Sequence, residues 1–304
     1  MDRSRGGEKG RRRKRWGWAA LVTGAFAAGL LLFAAVLYWP TGGNAPAPKT
    51  PPFAGRSPEP APPSGEPAVP AERSPRLAIV VGDFGYEPVR DAEWLDFPGR
   101  ITFAVLPFGP SSRTIASSAH SRGLGVILHV PMEPRTDSPD RTEPFRLLLG
   151  MTPGEIRDRL GRMTEDVPQA AGAINHMGSA FTADAAAMEA FASALRERGM
   201  FFVDGVTTSG SLAAEACRNV GVPALRRDVF LDDSPDPGAM RKAWEKAVAI
   251  AKERGDAVLV SHSRRETLTA LLSLVPDLER EGVRTATVAE LLADRSGAAL
   301  PTKD

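Results

Sequence analysis

The chain has 304 residues, a formal net charge of +1, 42% apolar residues and 25% charged residues. That composition is ordinary for one or two globular domains, and the near-neutral charge gives no reason to expect nucleic acid as a partner. A single cysteine, Cys217, excludes an intrachain disulfide and any paired-cysteine metal or redox site.

The averages hide unlike segments. Residues 1–15 carry eight Lys or Arg against Asp2 and Glu8. The 24 residues from Trp16 to Trp39 carry no charge and hold aromatics at both ends. At about 1.5 Å per residue such a helix crosses a bilayer core, and aromatic belts mark its interfaces. The basic head is expected in the cytoplasm and the remainder beyond the membrane, in the periplasm. A cleaved signal peptide would have a shorter apolar core, roughly 7–15 residues, and Pro46 interrupts the small residues at 45–47. The pattern favours an uncleaved single-pass anchor. Residues 40–75 are rich in Pro, Ala, Gly and Ser and read as a disordered spacer.

A folded domain is expected over 76–295, followed by a short tail at 296–304. Apolar runs of strand length fall at 77–81, 101–106, 125–130, 171–174, 200–203, 229–231, 257–260 and 283–286, with helix-like stretches between. Thr152-Pro153-Gly154-Glu155 and Thr287-Val288-Ala289-Glu290 are capping boxes, and Asp236-Pro237 offers a cap with a first-turn proline. Gly123, Gly199, Gly221, Gly255 and Gly282 are stop signals, and Pro276 interrupts the last long helical run. A helix is expected to start near Thr182. Strands alternating with helices argue a parallel α/β domain, open or closed into a barrel.

Both architectures place ligand sites beyond the C-terminal ends of the strands. The polar residues sort to those ends. Asp83, His129, His176, Asp204 and His262 each close an apolar run; Glu133 follows His129; Asn175 adjoins His176; Arg227 opens a run that Asp232 closes. His120 lies instead in a helical run and reads as surface or packing. Two imidazoles and one carboxylate on three strand ends suit Zn²⁺, or a more loosely held Mn²⁺, Fe²⁺ or Co²⁺, with positions left open. Such an ion lowers the pKa of bound water and polarises a carbonyl. His262 is a candidate general acid for a leaving amine and Glu133 a candidate base. Asp204 or Asp232 can orient a histidine or bind a sugar hydroxyl. Arg227 beside Asp228 suits an ion pair.

With these residues in view, the domain resembles the divergent branch of the polysaccharide deacetylase family, of the NodB-type fold. The resemblance covers about 76–292. It rests on Leu77 to Gly85, Phe103 to Pro107, Leu128 to Pro134, Asn175 to Ser179, Phe202 to Asp204 and Arg227 to Asp232. It implies an irregular (β/α) barrel of about seven strands and a metal-dependent hydrolase of acetylated polysaccharide. It implies Asp83, His129 and His176 as the metal triad and His262 as the histidine near the leaving group. Asp204 and Glu133 join His262 as candidate catalytic groups. Asn175, Arg227 and Asp232 are candidate substrate contacts.

The chain departs from that pattern where it matters. Gly82 stands where the family has an aspartate base, Ile174 where Asn is common, Gly205 where Ser is common, and Ser261 and Ser263 flank His262 in place of Gly and Pro. Thr267 does match. Loss of a positioned base typically costs about 10²–10⁴-fold in rate. Two readings follow: a membrane-anchored deacetylase acting on an envelope polysaccharide such as peptidoglycan, or a degenerate member that binds glycan or an envelope partner. A purely structural protein, with its histidines as polar core, is the third.

Overall fold

The computed structural model describes residues 74–136 and 142–296. The expected basic head, membrane span and most of the linker lie outside the described residues, as does the tail from 297. Among the described residues no helix is long and apolar enough to cross a membrane.

The elements run β1 Arg76–Phe84, α1 Pro88–Ala92, β2 Thr102–Val105, α2 Ser112–Ser121, β3 Gly125–Met132, α3 Pro153–Asp166, β4 Gly172–Met177, α4 Ala185–Glu197, β5 Phe201–Asp204, α5 Ala213–Asn219, β6 Ala224–Arg226 and β7 Val229–Phe230. They continue with α6 Pro237–Arg254, β8 Asp256–His262, α7 Arg265–Leu274, α8 Pro276–Arg280, β9 Arg284–Ala286 and α9 Val288–Ser296.

Local chemistry sets most boundaries. The Thr152 side chain accepts from the Glu155 N–H while the Glu155 carboxylate accepts from the Thr152 N–H at 2.8 Å, so α3 opens on a reciprocal capping box. Thr287 and Glu290 repeat the device at α9. The Asp236 carboxylate caps α6 by accepting from the Ala239 N–H at 2.7 Å. The five stop glycines all take positive φ, and Pro276 separates α7 from α8. The helix expected near Thr182 begins instead at Ala185. Asp184 is its cap, and the residues from Phe181 to Ala183 form a 3₁₀ turn. Cys217 is buried in α5, where burial pushes its thiol up to about 12.

All strand pairs are parallel, in the order β6-β5-β4-β3-β2-β1-β8-β7, with β9 beside the start of β1. The sheet curls into a parallel-strand half-barrel, consistent with the expected irregular (β/α) barrel. Its two edges, β6 and β7, are consecutive in sequence. Only Arg227 and Asp228 separate them, so one short segment pairs first with β5 and then with β8. The 224–226 half of that segment has no counterpart among the expected strands.

Strand alternation divides the apolar residues into two cores. Leu77, Ile79, Val81, Phe103, Val126 and Leu128 belong to the outer core under the helices. Ala78, Val80, Ala104, Ile127, Ile174, Val203, Val258 and Val260 fill the interior against Val288, Leu291 and Leu292 of α9. Arg295 to Asp256 and Arg100 to Glu290 tie α9 to the N-terminal end of the sheet. The interior is thus stoppered at one end and polar at the other. Leu291, fully buried, gives a direct test. Leu291→Ala is expected to cost about 2–5 kcal/mol, as for buried leucines generally, read by denaturant unfolding.

Candidate metal centre

The inward parity of Ile127, Ile174 and Val260 carries on, two residues later, to His129, His176 and His262. All three rings therefore approach the interior from its open end. Asp83 arrives by a different route. The β1–β2 register shifts between Val81 and Phe84, and Asp83 takes φ +68°. This is a bulge with a non-glycine residue in the left-handed region, a strained conformation that clusters at functional sites. Met177, just after His176, is also left-handed at φ +52°.

Asp83, His129 and His176 come together, each offering a ligand atom within 4.8 Å of the others. Asp83 Oδ1 lies 3.4 Å from His129 Nδ1 and 3.2 Å from His176 Nδ1. The two rings meet edge to face with centroids 4.8 Å apart. Asp83 Oδ1 is buried yet meets hydrogen-bond geometry with no donor among the described residues. Burial opposes ionisation of Asp83, but the imidazoles of His176, His129 and His262 outweigh it and hold the carboxyl well below the usual carboxylate range. Burial, helped by His176, pushes His129 down to about 3, so its ring is neutral at neutral pH. A buried carboxylate oxygen without a donor, facing two imidazoles, is a donor set that fits a divalent cation. The Asp83 N–H donates to His129 Nδ1 at 3.1 Å; a cation on that nitrogen would displace this bond.

Gly82 makes room for the arrangement. A Cβ at this position would lie 2.8 Å from His129 Cε1 and 3.3 Å from its Nδ1. The His129 ring occupies the space that any side chain at 82 would need.

The cluster opens on a cleft of about 230 Å³, which Asp83, His176 and His262 line with Arg90, Ser263 and Arg264. His262 pairs with Gly82 across β1 and β8. Its Nδ1 lies 3.1 Å from Asp232 Oδ1, and its N–H reaches the same carboxylate. Thr267 Oγ1 donates to Asp232 Oδ2 at 2.6 Å. Asp232, expected either to orient a histidine or to bind a sugar hydroxyl, lies buried beneath His262 with both oxygens engaged, where it orients the ring.

The other expected site residues hold loops. The Asp204 carboxylate is fully buried and accepts from Ser211 Oγ and the Val206 N–H, with Arg226 at 3.5 Å. Arg227 donates to the carbonyls of Gly205 and Val206 and stacks on Phe230. Asp204 and Arg227 together pin Val206 at φ +49°. Asn175 donates to the Met177 carbonyl and accepts from the Gly205 N–H, which supports the turn behind His176. Glu133 accepts from the Leu149 N–H at 2.7 Å. His120 is exposed on α2. Arg90 and Arg264, which the sequence reading passes over, stand on the cleft itself.

A curled parallel half-barrel with an Asp-His-His cluster at its strand ends is the class of protein these features define. Residues 79–292 match the divergent polysaccharide deacetylase family, and the chain belongs to it. It is 34% identical over 203 residues to the uncharacterized protein YibQ of Escherichia coli K12, across 67% of this chain and 63% of that protein. It is 35% identical over 196 residues to an uncharacterized Haemophilus influenzae protein, across 64% of this chain and 69% of the relative. The match therefore leaves about a third of each relative's length unspanned. The crystal structure of an uncharacterized Agrobacterium tumefaciens C58 protein superposes with a TM-score of 0.69 at 25% identity, covering 76% of this chain and 92% of that one.

The crowding at Gly82 has a measurable consequence. Gly82→Asp, which recreates the family's aspartate pair, is expected to displace the His129 ring. Zn²⁺ affinity should then fall by roughly 10–100-fold, the usual effect of disturbing a ligand's support, as read by titration calorimetry. Unchanged or tighter binding would show that the ring does not depend on the missing Cβ.

Proposed function

We propose that the chain is a metal-dependent hydrolase that removes acetyl groups from acetamido sugars of an envelope polysaccharide such as peptidoglycan. The observation that carries this reading is the Asp83–His129–His176 cluster opening on the same cleft as an oriented His262. Asp83, His129 and His176 would hold the ion, with Zn²⁺ the best fit and Mn²⁺, Fe²⁺ or Co²⁺ alternatives. When bound, the ion supplies Lewis acidity and a water of lowered pKa.

The remaining steps fall to the chain. Gly82 cannot take a proton, and Glu133 is committed to the Leu149 N–H. His262 is the histidine that lines the cleft outside the Asp83–His129–His176 cluster. Asp232 holds its Nδ1, which leaves Nε2 to accept a proton from the attacking water. The same nitrogen then returns that proton to the amine as the C–N bond breaks, giving acetate and a free amino sugar. One dyad thus does the work usually divided between a base and an acid. The uncharged run 16–39 supports a membrane anchor, with the Pro-rich spacer holding the domain away from the bilayer in the periplasm.

A second reading, a glycan-binding member without turnover, draws on Gly82 and on the sharing of His129 Nδ1 with the Asp83 amide. Acetate release from acetylated glycan strands separates the two. His262→Ala should lower release by about 10²–10⁴-fold, and Asp232→Asn should lower kcat while leaving bound metal unchanged. Release insensitive to His262→Ala would contradict the dyad. Glycan binding without release, with each of the four ions, would select the second reading.

A further inference from the structure

Among the described residues, the charged side chains on the cleft besides Asp83 are two arginines, Arg90 and Arg264, from separate elements. Arg90 follows β1 in α1; Arg264 follows β8. They bracket Ser263, whose Oγ lies 3.5 Å from Arg90 Nη2. Arg90 Nε is buried and meets no hydrogen-bond acceptor among the described residues. The nearest carboxylate is Asp91, at 3.9 Å. Asp91 is a poor counter-charge. Burial raises its pKa, and its Oδ2 accepts from the Gly85 N–H, the Glu87 N–H and Ser111 Oγ to hold the loop after β1. Arg264 donates from Nη1 to the Asp232 carbonyl at 3.1 Å, which sets its guanidinium beside His262 and leaves its other donors available.

Among the described residues Asp83 is the single carboxylate on the cleft, and it is turned to the imidazoles. With a divalent ion in place the cleft carries a marked positive excess. A neutral acetamido sugar gives two guanidinium groups nothing to neutralise. A guanidinium fork matches a carboxylate or phosphate in shape and charge.

We propose that the substrate carries an anionic group close to the scissile acetamide, and that Arg90 and Arg264 bind it as specificity-determining residues. The chemistry is that of an acidic acetamido sugar, with a lactyl carboxylate or a phosphate on the ring that bears the acetamide. This inference rests on the proposed reading only in taking the cleft as the substrate site.

The test compares two matched ligands on the zinc-loaded protein. N-acetylmuramic acid carries a carboxylate, and N-acetylglucosamine is its neutral counterpart. N-acetylglucosamine 6-phosphate distinguishes a phosphate source from a carboxylate. Titration calorimetry should show the acidic sugars binding more tightly than the neutral one. Arg90→Gln and Arg264→Gln should each reduce that preference roughly tenfold or more, as expected for a lost charged hydrogen bond. Arg90→Lys, which keeps the charge but not the fork, should restore part of it. In turnover, the glutamine variants should raise KM for acidic strands by a larger factor than KM for neutral chito-oligomers. Equal binding of acidic and neutral sugars would overturn the inference. So would a preference that survives both glutamine substitutions and vanishes on chelation, because the anion would then sit on the metal. Acidic-sugar binding lost in both variants, without acetate release from any strand, would uphold the inference while sinking the deacetylase reading.

Discussion

The imidazole of His129 and the backbone of Gly82 compete for the same few cubic ångströms. A Cβ at 82 would stand 2.8 Å from the ring, so the ring in its present position uses the space that a side chain at 82 would need. The bulge that follows turns Asp83 into the mouth at φ +68° and breaks the β1–β2 register. The cluster, the cleft and the placing of His262 opposite Gly82 all depend on this one crossing of strand and ring. The glycine that stands in place of the family's aspartate is therefore also a packing feature of the cluster.

The rest of the domain supports that crossing at a distance. The stopper helix α9 fills the far end of the interior with Val288, Leu291 and Leu292, which leaves the open end free for polar groups. Around that end, strained backbone is held by side chains bonded to the neighbouring loops. Asn175 braces the turn at Met177, and Asp204 with Arg227 braces Val206. Asn175 and Asp204 are buried with their hydrogen bonds made, as a low-dielectric setting requires. Residues of this kind look catalytic in a sequence because they are polar, sit at strand ends and cluster near histidines.

That explains what was legible and what was not. Helix ends were legible at Thr152, Asp236 and Thr287, because capping is local chemistry written in adjacent residues. The convergence of Asp83, His129, His176 and His262 was legible, because strand parity and the strand-end rule both point to one mouth. The loop partners of Asn175 and Asp204 were not, since they depend on which neighbouring loop supplies them. The segment 224–226 was missed because three residues ending in Arg226 carry too little apolar pattern. The half-barrel closure was hidden for the same reason: only Arg227 and Asp228 span its two edges. Arg90 and Arg264 carry no motif. Their one signal is position, directly after the strands that bear Asp83 and His262.

The central claim is that Asp83, His129 and His176 form a metal site in spite of Gly82. It is tested most directly by the metal content of purified residues 74–304 after incubation with Zn²⁺ or Mn²⁺ and desalting, for the natural sequence and for His176→Ala. The account expects about one ion per chain, lost in the variant, because removing one of three ligands leaves too few to hold an open-sided site. An equal, near-zero content in both would contradict it, and the cluster would then be a histidine pair packed against a carboxylate.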